Sequence, residues 1–398
     1  MGKVKKIIDS QLCLGCGMCQ SILSAKCQMK INPEGFYFPE FKDTLTKKEE
    51  DKILKICPAV NVKSRDYTGV WGHIEQLSEA WSNDNVVRDK ASSGGVISTL
   101  CIYLIENKIV DAILHVGISD TSYIHNELRV SRTKEGILRN ASSRYAPALV
   151  FDKFIEILDN SPREVFAFVG KPCDIAGVKN FISEHPQYTD QIKYCLAIFC
   201  AGMPSYKGTE SLLSLSGNKD IPSSIKYRGD GWPGYFKALY TDKPEFKMTY
   251  NDSWGNVLNR HLNFRCKICP DGIGLLADIA IGDSWHTKDG YPDFEEGDGK
   301  SFVIIRNPQG KTLFQEAIEN NYITSQFLDV RNIENIQYSQ YQRRKMMGYR
   351  ILPIQLLSGF ILKFKGLGIW RSMLSANLKM GLKNLLGTTK RFIKIIWG

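Results

Sequence analysis

Cys13, Cys16 and Cys19 stand at two-residue intervals, with Gly15 and Gly17 between them, and Cys57-Pro58 follows at a distance. Three thiolates at this spacing can wrap one corner of a cubane 4Fe–4S cluster. The glycines let the backbone turn tightly and aim amides at the sulfides. Zinc sites draw on pairs of cysteines, not on a triple run. Cys13, Cys16, Cys19 and Cys57 are therefore the expected ligands of one iron–sulfur cluster.

A second set of four is spread more widely. Residues 165–169 read as a short buried strand, Ile175, Val178, Phe181 and Ile182 recur at helical spacing, and residues 194–199 read as another strand. Strand, helix, strand at this length is a βαβ unit with parallel strands. It presents Cys173 and Cys200 in loops past the carboxyl ends of its strands, the edge where open α/β sheets bind ligands. Cys266 and Cys269, a C-x2-C pair before Pro270, supply two more thiolates. Four cysteines suit tetrahedral zinc or a second 4Fe–4S cluster equally on count; redox chemistry next door favours iron–sulfur. The plain alternative buries Cys173 and Cys200 as small hydrophobes. Cys101 and Cys195 fall on apolar faces and read as core. Cys27 reads as core or as a spare thiol.

Phosphate binding has weaker signals. Ser92-Ser93-Gly94-Gly95 precede an apolar helical pattern, so a Ser N-cap and glycine-exposed amides could receive an anion, or could simply cap the helix. Arg144 lies in a polar loop and reads as a phosphate partner or as a solvated surface residue. Arg228-Gly229-Asp230-Gly231-Trp232 marks a turn, where Trp232 caps a cofactor or packs. A further strand is expected at residues 110–117, another strand and turn at 130–138, and a helix from near Val150.

The elements that carry these residues need room. A chain of 398 residues holds two or more domains. Eleven cysteines, without an apolar leader at the N-terminus, point to metal or redox chemistry in the cytoplasm rather than to disulfides. The net charge of +10 is a property of the tail: 12 Lys and Arg and no acid follow position 342, leaving about −2 for the rest. That removes the main support for nucleic-acid binding. Residues 351–362 are apolar but too short to span a bilayer. Leu374, Leu378, Leu382 and Leu385, then Phe392, Ile395, Ile396 and Trp397, keep helical spacing beside lysines. A basic amphipathic helix belongs at an anionic membrane surface, here the inner face, or against a partner, or packs on its own domain.

Over its first 60 or so residues the chain resembles bacterial ferredoxin domains with one cluster retained and one lost. From about residue 70 to 305, Ser92–Gly95, Ser143-Arg144-Tyr145, Gly170–Gly177, Phe199–Ser205, Arg228–Trp232 and Cys266–Trp285 resemble the coenzyme F420 hydrogenase/dehydrogenase beta-subunit family. The resemblance implies an α/β protein overall. An α+β ferredoxin-like unit (1–67) precedes a mixed α/β flavin and cluster domain (68–335) and a basic helical tail (336–398). It implies an iron–sulfur flavoprotein oxidoreductase, with FAD held near the second cluster by Ser92, Ser93, Gly94, Gly95, Arg144 and Lys171. Electrons would pass to a redox partner protein or a small-molecule acceptor. Bacterial relatives of this layout resemble proteins that accompany surface-polysaccharide genes, so a non-catalytic electron carrier or scaffold on a membrane-associated enzyme is the alternative. Two motifs depart from the family: its Thr-Pro-Cys-Gln is Lys171-Pro172-Cys173-Asp174 here, and its Cys-His-Gly is Cys200-Ala201-Gly202.

Overall fold

The computed structural model describes residues 2–64, 69–288, 291–359 and 361–397. The chain opens with the helix Lys3–Asp9 and an antiparallel hairpin of Cys27–Ile31 with Tyr37–Phe41. Helix α1 (Lys47–Ile56) starts at a capping box: Thr46 accepts from the Glu49 amide, and Glu49 Oε2 accepts from the Thr46 amide at 2.8 Å. Its buried residues Ile53, Leu54 and Ile56 press this charged segment onto the core.

Nine strands then form one mixed sheet: β1 (Gln76–Ser82), β2 (Ala112–Ile118), β3 (Asn126–Ser131), β4 (Ala148–Leu149), β5 (Phe166–Gly170), β6 (Ile192–Ile198), β7 (Ile279–Asp283), β8 (Ser301–Ile305) and β9 (Ile323–Phe327). Their order is β9-β1-β8-β7-β6-β5-β2-β3-β4. The centre, β7-β6-β5-β2, is parallel, and β8, β1 and β9 continue it antiparallel. The α/β class read from the sequence is observed. Helix α2 (Val96–Glu106) packs its apolar side on β1 and β2, and α3 (Pro172–Glu184) joins β5 to β6 in the expected βαβ unit. Central strands such as β8, buried along their whole length, are the runs that sequence reads most easily.

Three local expectations are corrected. Residues 130–138 are not a strand and turn: β3 ends at Ser131 and a helix, Lys134–Arg139, follows a Thr133 cap. The helix expected near Val150 begins at Phe154, after the short strand β4. Gly95, not a serine, caps α2: it takes φ 77°, a left-handed conformation that glycine adopts without strain.

The tail folds back. Helix α5 (Met347–Ser358) and helix α6 (Leu378–Trp397) pack together, with Gly381 against the Tyr349 ring. Lys363–Lys365 pairs in parallel with Asn61–Lys63. Val4, Ile7, Leu12, Met347, Ile351 and Phe392 thus share a single apolar core, built jointly by the two ends of the chain. Burial of the Phe392 ring contributes about 2 kcal/mol to that docking. The join expected at residues 65–72 falls partly on 65–68, outside the described residues.

Candidate metal centres

Gly15 and Gly17 both take left-handed conformations, φ 65° and 89°, which turn the backbone around the first cysteines. The Gly15 amide donates to Cys13 Sγ at 3.3 Å. The Met18 amide faces Cys16, and those of Ala59 and Val60 face Cys57. Cys13, Cys16, Cys19 and Cys57 line one small cavity walled by Met18, Met29, Pro39 and Ile53. Burial pushes the Cys13 thiol up to about 12, and raises Cys16, Cys19 and Cys57 as well. Such thiols ionise when a cationic centre arrives to offset the lost hydration, and the inward amides then stabilise the sulfurs. The chemistry of this donor set, four thiols lining one cavity, suits a 4Fe–4S cluster. Among the described residues no three His, Cys, Asp or Glu side chains close up on a single metal-ion position. Cys27 is buried at the head of the hairpin, within electrostatic reach of Cys13 and Cys19.

The second set converges from three segments. Cys173 lies in the first turn of α3 rather than in a loop, because Pro172 at the first helical position and Asp174 two residues on start the helix early. Cys200 follows β6, and its amide donates to Gly272 O at 2.9 Å. That bond draws the short helix α4 (Phe264–Lys267), which carries Cys266, and the segment after it, which carries Cys269, to the end of the sheet. Cys173 lies within electrostatic reach of Cys200 and Cys269, and Cys200 within reach of Cys266 and Cys269. Burial pushes Cys200 up to about 12 and raises Cys173, to which Asp174 adds and which Lys171 opposes. Lys171 Nζ stands 2.7 Å from Asp174 Oδ2. Arg343 donates to Ala201 O at 2.6 Å and to Cys266 O. Lys171 and Arg343 thus place positive charge beside this set of thiols.

The two sets are neighbours. Asn263 Nδ2 donates to Cys13 O at 3.2 Å, and Arg265 Nε to Ala59 O at 2.5 Å. Arg265 is fully buried, and its charge eases ionisation of both Cys57 and Cys266. Asp174, beside Cys173, lies within electrostatic reach of Cys16. Sequence reasoning gave Arg265 and Arg343 no role. The available signal for Arg265 was a basic residue directly before Cys266.

Of the residues expected around a flavin, Ser93 and Gly94 lie beside the ends of β1, β7 and β8. Ser93 Oγ donates to Lys300 O at 3.0 Å, Ser92 Oγ contacts Ser142 Oγ at 3.2 Å, and Gly94 lies against the backbone of Ala80 and Ser301. Arg144 already donates to Asn126 Oδ1 at 2.7 Å and to Ile225 O at 3.0 Å, and it lies over the Tyr227 ring. Lys171 stands with the second cysteine set instead. Beside this region Arg228 forms a two-pronged pair with Asp283, and Trp232, stacked on Trp285, donates to the same carboxylate at 2.9 Å.

Two models of one family match this chain. They describe the beta subunit of coenzyme F420 hydrogenase/dehydrogenase: its N-terminal part matches residues 77–154, and its C-terminal part matches residues 164–330. The chain belongs to this family. It is 24% identical over 277 residues to the coenzyme F420 hydrogenase subunit beta of Methanococcus voltae, covering 67% of this chain and 88% of that one. It is 24% identical over 362 residues to the coenzyme F420-dependent sulfite reductase of Methanocaldococcus jannaschii, covering 86% of this chain and 51% of that one. An uncharacterised protein of the same organism is 25% identical over 263 residues, 64% of this chain and 67% of that one. A chain of the F420-reducing NiFe hydrogenase complex from Methanosarcina barkeri shares the fold, with a TM-score of 0.53 at 19% identity, over 71% of this chain and 96% of that chain. The named relatives of this family member are oxidoreductases or oxidoreductase subunits.

Proposed function

We infer that this protein is an iron–sulfur flavoprotein oxidoreductase subunit that moves electrons between 4Fe–4S clusters, FAD and an acceptor still to be identified. The observation that carries the reading is the placement of two four-cysteine sets on either side of Arg265, within one folded unit. Cys13, Cys16, Cys19 and Cys57 would hold one cluster, and Cys173, Cys200, Cys266 and Cys269 the other. Bound clusters would supply one-electron storage, and a bound flavin the step between one-electron and two-electron chemistry. The chain's own part is to bury the thiols, aim amides at them, and place Arg265, Lys171 and Arg343 where negative charge accumulates. The names of its relatives support a redox role and a place beside partner subunits. They also make coenzyme F420 the first acceptor to try.

FAD rests on the family resemblance alone, since Ser92, Ser93 and Arg144 spend their hydrogen bonds within the protein. Protein made and purified without oxygen should release FAD on denaturation, and its flavin absorption should bleach under reduced coenzyme F420 or dithionite. Protein that holds no flavin and takes up none when offered FAD would remove the flavoenzyme half of the reading. The exposed amphipathic helix α6 favours a second reading, an electron carrier docked on a membrane-associated enzyme. Turnover of a small-molecule donor without any partner would count against that second reading.

A further inference from the structure

Helix α6 has two apolar faces, and only one is used. The inner face docks on the protein: Gly381 meets the Tyr349 ring, Thr388 is buried, and Phe392 stacks on Phe264 with ring centroids 5.7 Å apart. Successive turns of about 100° per residue place Leu378, Leu382, Leu386, Ile393 and Trp397 in a separate arc. These five are exposed, Leu378 at 64%, Leu386 at 66% and Trp397 at 74%. The adjoining arc carries Lys379, Lys383, Lys390 and Lys394, all exposed or half-buried. The lysines and leucines of the first turns together line a shallow open groove. No acid lies anywhere after Glu334.

The geometry points to an anionic lipid surface as the occupant of this face, with α6 lying in the plane of the bilayer interface. The stripe is straight, about 30 Å long, and ends in a tryptophan. A row of lysines borders it, so their chains can lie along the acyl boundary while the ammonium groups reach phosphate. Anionic headgroups match a tail whose formal charge is wholly positive. Among the described residues no helix is long and apolar enough to cross a membrane, so contact here means lying on the surface. Anchorage by the inner face fixes the orientation: Phe264, which holds Phe392, is two residues from Cys266. The second cysteine set would therefore sit at a set height over the lipid.

Flotation of the full chain tests this. The vesicles are phosphatidylethanolamine with about one-third phosphatidylglycerol, compared with pure phosphatidylcholine. The chain should float with the anionic vesicles and not with the zwitterionic ones. A Leu382→Asp/Leu386→Asp variant should lose binding at least about tenfold, because charge enters the apolar stripe. Each Lys→Gln change along the ridge should weaken it roughly fivefold, and added salt should act the same way. Both leucines are exposed, so unchanged circular dichroism and thermal unfolding separate lost binding from lost folding. A chain that stays at the bottom with anionic vesicles, or floats equally with both kinds, would overturn the proposal. So would a double-Asp variant that floats as the parent does. A stripe that instead serves an acidic protein partner gives the first of these results. Flotation needs no redox centre, so either result leaves the iron and flavin reading to its own test.

Discussion

Arg265 Nε reaches the carbonyl oxygen of Ala59, 2.5 Å away, and so ties the segment of Cys266 to the segment of Cys57. The guanidinium is buried between two groups of thiols and eases ionisation in both. Arg265→Gln should cost about 3 kcal/mol of stability, as expected when a buried, hydrogen-bonded charge is truncated. It should also make the two proposed iron–sulfur centres harder to reduce, since a nearby cation stabilises the more negative state. Thermal unfolding and potentiometric titration separate the roles. A merely structural Arg265 would lower the unfolding temperature and leave both potentials in place.

Arg228 and Asp283 form a buried pair, with Nη1 and Nη2 at 3.0 and 2.9 Å from the carboxylate oxygens. Burial opposes the Arg228 charge, and Asp283 outweighs it, so the guanidinium is held protonated above its ordinary range. Asp283→Asn should cost about 3 kcal/mol, because it leaves a buried cation without its counterion. Arg228→Met combined with Asp283→Leu should cost less than the two single changes added together. Denaturant unfolding of the four proteins measures the coupling, and simple additivity would show that the pair is not a unit.

His115 on β2 is buried with Ser131 Oγ at 2.7 Å. Burial, with help from Arg129, lowers its pKa from 6.5 to about 4. Between those values the unfolded chain takes up a proton that the folded chain refuses. This contribution to stability is complete above about 6.5 and is lost as pH falls toward 4, about 3 kcal/mol in all. His115→Gln should flatten the acid limb of stability against pH. An unchanged slope in that variant would assign the acid sensitivity to other groups.

The parts of this molecule that sequence revealed are those where local chemistry and global fold agree. The strand–helix–strand order of residues 165–199 read correctly because β5 and most of β6 are apolar and α3 keeps a helical period between them, whereas Cys173 fell in the helix and not in the expected loop. The first cysteine set was readable because three of its members lie within seven residues, and the structure places Cys57 on the same cavity. β3, Asn126–Ser131, is a polar strand near the sheet edge and carries no apolar run to read. The α2 cap went to Gly95 because serine and glycine both suit that position, and the contact of Gly94 with the backbone of Ala80 and Ser301 decides between them. Packing of the tail helix on its own chain was one of the readings the sequence left open, but its joining to the N-terminal segments was not readable. It depends on a three-residue Lys-Phe-Lys strand and on one face of α6 finding Phe264, both long-range packing choices without a local pattern.

Iron, acid-labile sulfide and zinc content of protein made and purified without oxygen tests the central claim, that both cysteine sets are iron–sulfur sites. The account predicts about eight irons and eight sulfides per chain, and about four of each after Cys57→Ser or after Cys200→Ser. Zinc in place of iron, or an iron content that ignores either substitution, would contradict it.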